Sequence, residues 1–335
     1  MKKVLLVFSL IIFGCSFPVQ LTFGTPTPIP TFTQTPAPTQ TPLAPPPLGT
    51  EQNPLILALA PSPRPSEEVI AAGDIIAAFI QSQTGFQVVS VIPTSEQILV
   101  EDFAKGNAHI GLLSPFGYVL ARNTDSVTAV LASVHDGKTF YGAQIIANRS
   151  KDFTSYFDEA KNENTTDAVT AFKQFEEKKA CWSDEVSPSG YVVPLGLLNQ
   201  AQVKIRGAAF LDGQPSVVRA VYVDDICDFG ATFIDARLSP VLEANYGDVV
   251  EKVIVIWRIP EIIPYENIST STALPVDMRR AIQRAFIDLM LTPEGKAAMQ
   301  TVYGVDQLQV VDDTAYAEFV TYVKASGLDL IDLIK

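Results

Sequence analysis

Apolar residues along this chain fall into two spacings that take turns. The run LILALAP, which follows Pro54, reads as a strand. After a proline-rich loop, Val69, Ala72, Ile76, Phe79 and Ile80 share one face of a helix predicted from Ser66 to Thr84. Ser66 suits its N-cap, Glu67 and Glu68 its positive end, and Gly85 its stop. FQVVSVI is the next strand. Thr94 or Ser95 then caps a helix carrying Ile98, Leu99 and Phe103 and ending at Gly106. HIGLLS is a third strand and runs straight into helical PFGYVLAR, and VTAVLASV and TFYGAQIIANR read as two more strands.

The alternation then resumes. A helix from Thr165 to Lys179 precedes a strand from Ala180 to Trp182 and a helix from Pro188 to Gln200. A helix around Ser216 to Tyr222, the strand CDFGATFI and a strand from Glu251 to Ile259 follow. Beyond them the pattern is almost all helical: Pro275 to Leu291, Pro293 to Thr301, Asp313 to Lys324, and a short final helix. Strands alternating with helices indicate α/β layers with mostly parallel sheets.

Ligands of open α/β sheets bind beyond the carboxyl ends of the strands. Three strand-to-helix turns carry small or hydroxyl residues there: Pro93-Thr94-Ser95, Ser114-Pro115-Phe116 and Ser187-Pro188-Ser189-Gly190. Each alone reads as an ordinary helix cap more readily than as a ligand contact; their recurrence is what favours a shared binding role.

The ends of the sequence change where this fold is expected to work. MKKVLLVFSLIIFGC has a Lys2-Lys3 n-region and an apolar run from Val4 to Phe13. That run spans about 15 Å as a helix, half of a roughly 30 Å bilayer core, so residues 1–15 read as an export signal. Ile12-Phe13-Gly14-Cys15 resembles a lipobox, with Cys15 the residue to be lipidated; an ordinary signal with a chance cysteine is the alternative. Residues 16–50 repeat proline with threonine and read as an extended, solvated tether. The expected address is the outer face of the cytoplasmic membrane, periplasmic or cell-surface, held by the lipid anchor alone.

Charge narrows the partners. With 24 Lys and Arg against 37 Asp and Glu, the net charge is −13, which argues against nucleic acid or an anionic membrane surface. An anionic ligand would have to be gripped locally, against the overall field. Cys181 and Cys227, the cysteines of the folded part, suggest one disulfide in an exported chain, with two buried thiols as the alternative. Neither His109 nor His135 sits in metal-type spacing, so no metal or other cofactor is expected.

Several segments in order resemble the phosphate/phosphite/phosphonate-binding, PhnD-like receptors of bacterial ABC importers. They are GNAHIGLLSPFGY at 106–118, YGAQIIANRS at 141–150, SPSGYVVP at 187–194, RAVYVDDICDFGA at 219–231 and VIVIWRIP at 253–260. The third matches the family's S-x-S-G-x-x-x-P and is the most specific. A helix N-terminus offers unpaired N–H groups and about half a positive charge to a tetrahedral oxyanion. Ser187 and Ser189 add hydroxyls, and Gly190 permits close backbone approach.

The resemblance implies a two-lobed periplasmic binding protein type 2 fold, each lobe a mixed sheet flanked by helices, with the ligand cleft between them. Lobe one is expected at 51–143 plus 256–335 and lobe two at 144–255, closing by a hinge. It further implies a monomer that delivers a small oxyanion to an ABC permease, not an enzyme. The residues expected at the ligand are Thr94, Ser95, Ser114, Phe116, Ser187, Ser189, Gly190, Tyr191, Gln214, Ser216 and Asp235. Gln214 or Ser216 stands where the family often has a histidine, Pro188 removes one N–H from the motif, and Arg258 and Tyr265 follow Trp257 without the family's serine and aspartate. Asp235 is either a partner for a ligand ammonium or a solvated loop acid.

Other readings are a sensor or receptor of the same fold for a different organic solute, and a serine hydrolase. A metal-ion receptor drawing on Tyr118, Tyr141, Tyr191 and Tyr265 is a further one. The hydrolase lacks G-x-S-x-G around Ser189 and any visible arrangement of base and orienter.

Overall fold

A computed structural model describes residue 24 and residues 46–334 except 225. The expected signal, the lipidation at Cys15 and the Pro/Thr-rich segment, apart from residues 24 and 46–50, lie outside the described residues. Residues 46–335 form one compact unit. It therefore starts inside the segment expected to be tether, with Leu48 packed on the first core and Gly49 N–H donating to Asn53 O at 2.7 Å.

The first part of the unit runs β1 (Leu55–Ala58), α1 (Glu67–Thr84), β2 (Val88–Val91), α2 (Glu96–Lys105), β3 (Ile110–Leu113), α3 (Pro115–Asn123) and β4 (Val127–Ser133). The middle runs β5 (Phe140–Asn148), the small β6 (Phe157–Asp158) and β7 (Glu163–Asn164) pair, α4 (Ala168–Phe172), β8 (Lys179–Trp182) and α5 (Val193–Gln200). It continues with β9 (Gly207–Phe210), α6 (Gln214–Val223), β10 (Phe229–Phe233), α7 (Pro240–Asn245), α8 (Val249–Lys252) and β11 (Val253–Pro264). The last part adds β12 (Asn267–Ser271), α9 (Val276–Leu289), α10 (Pro293–Tyr303), β13 (Leu308–Val310) and α11 (Ala317–Ser326).

These strands make two mixed sheets, ordered β13-β4-β12-β3-β1-β2 and β11-β5-β10-β8-β9. β2, β1 and β3 are parallel, and β12 and β13 pair antiparallel with their neighbours. In the second sheet β9, β8 and β10 are parallel, whereas β5 is antiparallel to both β10 and β11. The sheets are thus more mixed than strand–helix alternation alone suggests.

The chain passes between sheets twice, at residues 134–139 and 265–266. Ser133 N–H donates to Glu266 O at 2.9 Å and Tyr265 N–H to Thr139 O at 3.1 Å, tying the passages together. The expected lobe limits at 143 and 256 fall inside β5 and β11, which belong to the second sheet along their whole length. The C-terminal region also divides: β13 completes the first sheet, but α11 packs against α5 on the second.

Local chemistry explains most elements. Ser66, Ser95 and Ser114 cap α1, α2 and α3 through their side chains, and Gly85 and Gly106 end the first two in left-handed conformation. The helix expected over 165–179 is shorter. Asp167 caps α4, a 3-10 turn over Lys173–Phe175 follows, and Glu177 then takes φ 56°. That tightening turns both Phe172 and Phe175 into the core, ring edge to ring face at 5.7 Å. Cys181 of β8 and Cys227, just before β10, are joined as a disulfide with Cα atoms 5.7 Å apart.

Candidate ligand-binding site

In the second sheet the parallel strands β8 and β9 each feed a helix at their carboxyl ends. After β8 the chain turns through Ser183 and enters a π-helical turn over Pro188–Val192 that continues into α5. After β9, Gly213 turns the chain into α6 at Gln214 with no side-chain cap. Two helix N-termini therefore converge beyond the same sheet edge, which concentrates positive partial charge there.

Gln214 organises the turn. Its Nε2 donates towards three serine hydroxyls: Ser187 Oγ at 3.1 Å, Ser183 Oγ at 3.3 Å and Ser189 Oγ at 3.5 Å. Its Oε1 accepts from Phe233 N–H at 3.1 Å, which fixes the amide's orientation. Ser187 Oγ also accepts from Gly190 N–H at 3.0 Å. A serine oxygen that accepts from within keeps its own O–H to donate elsewhere. Gly190 is required by crowding, because a Cβ there would lie 2.1 Å from Ser183 Oγ and 3.0 Å from Gln214 Nε2.

From this turn a line of side chains leads to the first sheet. The Tyr141 phenol, close to Ser189, has its pKa pushed up chiefly by burial, an effect that Ser189 opposes. The Tyr141 ring stacks on Tyr265 at 4.9 Å, and Tyr265 lies 4.2 Å from the His135 ring. His135 Nε2 is 3.6 Å from Glu266 Oε2. Both passages between the sheets contribute to this line.

The first sheet repeats the arrangement of two helix starts, but an internal group fills one of them. Glu96, the first residue of α2, reaches across to the cap of α3. Its Oε1 accepts from Ser114 N–H at 2.7 Å and its Oε2 from Ser114 Oγ at 2.8 Å. Gly117 leaves room for that carboxylate, since a Cβ there would fall 2.2 Å from Oε1. Burial raises the Glu96 pKa, the Ser114 hydrogen bonds oppose the rise, and the nearby Glu266 charge adds to it.

The residues expected at the ligand thus separate. Ser187, Ser189, Gly190 and Gln214 meet at one point. Ser95 and Ser114 cap α2 and α3, Ser114 with Glu96 in front of it, and Thr94 is exposed before α2. Phe116 is buried against Phe319 at 5.9 Å. Tyr191 packs edge-on to Phe210 at 4.9 Å, and Ser216 Oγ turns back to Asp212 O at 3.4 Å. Asp235 is held by Arg237 Nη2 at 2.7 Å and Gln144 Nε2 at 2.7 Å, with Arg258 Nη2 at 3.5 Å.

Ser183, Glu96 and Glu266 belong to the arrangement without having been expected there, and Tyr141 and Tyr265 were expected in a cleft only under the metal-receptor reading. The chance to find Ser183 lay in its place directly after β8, four residues before Ser187. Glu96 gave no such signal, because a first-turn glutamate is ordinary dipole chemistry.

The fold and the sequence have known relatives. A solved structure of XAC2383 from Xanthomonas citri bound to chloride superposes with a TM-score of 0.57 at 12% identity, covering 82% of this chain and 98% of that one. The same protein bound to ATP gives 0.56 at 12%, covering 84% and 99%. Among curated proteins, the "Phosphate-import protein PhnD" of Mycolicibacterium smegmatis (strain ATCC 700084 / mc(2)155) is 28% identical over 181 residues. That match spans 50% of this chain and 51% of the relative, about half its length. A family model described as "ABC transporter, phosphonate, periplasmic substrate-binding protein" matches residues 59–316. Most of the folded unit is within that match, and the chain belongs to the family of periplasmic substrate-binding proteins of phosphonate ABC transporters.

Proposed function

We propose that this chain is an extracytoplasmic receptor that binds one small phosphorus oxyanion (phosphate, phosphite or a phosphonate) and delivers it to an ABC permease. The ligand's oxygens lie at the Ser187–Gly190 turn, facing the start of α6. One observation carries the reading: Gln214 donates inward towards three serine oxygens at the meeting point of two helix N-termini. That leaves hydroxyl hydrogens and backbone dipoles to meet an anion without a cationic side chain. It also suits a protein of net charge −13, where long-range attraction is absent and local donors must do the gripping. The receptor acts as a monomer and is held at the membrane through lipidated Cys15 and the segment after it. Tyr141, at the start of β5, and Tyr265, on the second passage between the sheets, form the wall that moves when the lobes close.

The test is titration calorimetry of the purified protein with phosphate, phosphite, methylphosphonate and sulfate. At least one phosphorus oxyanion is expected to bind, and Ser189→Ala to weaken it roughly tenfold or more, as expected when a hydrogen bond to a charged group is lost. If none binds, or Ser189→Ala binds unchanged, the turn is a helix cap and nothing further.

A further inference from the structure

The first lobe offers a helix start that a second anionic group on a ligand would seek, and the protein has already filled it. Ser114 N–H and Ser114 Oγ, two polar groups such a group would use, are both bonded to the Glu96 carboxylate. Gly117 makes the space that carboxylate occupies. Glu266 Oε2 lies 3.6 Å from His135 Nε2 and its charge acts on Glu96, so the line of side chains that starts at the Ser187–Gly190 turn ends among two acids.

We propose that Glu96 is a specificity-determining residue: it takes the place of a ligand anion at the start of α3 and so restricts the receptor to ligands with a single anionic group. The inference rests on the phosphorus-oxyanion reading above. A methyl or hydrogen substituent on phosphorus meets the Tyr141–Tyr265 pair without penalty. A carboxylate or second phosphoryl group on the same ligand meets Glu96 and Glu266, and like charges brought together in a closed cleft cost affinity steeply. Specificity then comes from a repulsive element in one lobe and the attractive turn in the other.

Calorimetry with methylphosphonate and 3-phosphonopropionate, which differ in a carboxylate tail, tests this on the wild type, Glu96→Gln and Glu96→Asp. Glutamine keeps an acceptor for Ser114 N–H and removes the charge; aspartate keeps the charge. The wild type and Glu96→Asp are expected to bind methylphosphonate at least about tenfold more tightly than phosphonopropionate. Glu96→Gln is expected to strengthen phosphonopropionate about tenfold while leaving methylphosphonate within about threefold. Equal binding of both ligands by the wild type overturns the proposal and leaves the receptor reading standing, as does an equal effect of Glu96→Gln on both. If the wild type binds neither phosphonate nor any other phosphorus oxyanion, the receptor reading falls and this proposal with it.

Discussion

Gly196 of α5 lies directly under the Tyr322 carbonyl of α11: a Cβ on Gly196 would sit 2.1 Å from that oxygen. Backbone cannot yield as a side-chain tip does, so Gly196→Ala must push the two helices apart. Overpacking of this kind costs about 1–3 kcal/mol. Urea unfolding followed by circular dichroism is expected to show that loss with an unchanged slope.

Removing a partner of Asp235 should be more damaging. Asp235 and Arg237 are both largely buried and bonded through Arg237 Nε and Nη2, with Arg237 Nη1 also donating to Val253 O at 3.0 Å. Arg237→Met leaves a buried carboxylate short of its main partner and is expected to cost about 3–5 kcal/mol at neutral pH, read as a large drop in the melting temperature.

The same pair fixes a sign for acid behaviour. Burial by itself would raise the Asp235 pKa, but the Arg237 hydrogen bonds and charge outweigh it and hold the carboxyl below the usual carboxylate range. A depressed folded-state value means stability present at neutral pH and lost as pH falls through that value. Asp235→Asn is therefore expected to flatten the acid limb of a stability–pH profile. An unaltered limb would refute the assignment.

Glu96 has the opposite sign. Its pKa is raised, mainly by burial, so its contribution is complete at acid pH and is lost as pH rises through the folded-state value. Relative to wild type, Glu96→Gln should gain most at neutral pH, with the difference shrinking as pH falls through the folded-state value. Thermal unfolding of both proteins across that range decides it.

A final expectation concerns the disulfide. Cys181 and Cys227 are 46 residues apart in sequence, and their link encloses α5, β9 and α6, the elements that build the serine turn. Replacing both with alanine is expected to cost about 2–5 kcal/mol. The comparison is between the melting temperatures of the variant and of the oxidised wild type, with reductant lowering only the latter.

Much of this arrangement was legible where local chemistry and burial agree. The caps at Ser66, Ser95 and Ser114, the glycine stops and the Ser187–Gly190 turn all announce themselves within a few residues. β12 does not. Its sequence, NISTS, has one aliphatic residue, yet it lies between β3 and β4 in the first sheet with every residue buried. Ser269 Oγ donates to Asn267 Oδ1 at 2.6 Å, and the neighbouring strands satisfy the backbone. Hydrophobic periodicity has nothing to register in such a strand. Glu96 was hidden for a different reason: its hydrogen-bond partner caps a helix that begins nineteen residues later, and only packing brings the two together. Asp235 shows the same limit, since its arginine neighbours come from a turn and from β11.

The placement of α11 sets an order of assembly. A chain emerging from N- to C-terminus completes β5 to β11, and with them the serine turn, while the α5 face around Gly196 still lacks its cover. Residues 317–326 supply that cover only after the chain has returned to the first sheet through β12 and β13. The half of the molecule that contains the serine turn therefore waits for a segment made after both sheets have their strands. A chain stalled before residue 317 would leave the Gly196 face of α5 uncovered, a ready target for chaperones and proteases.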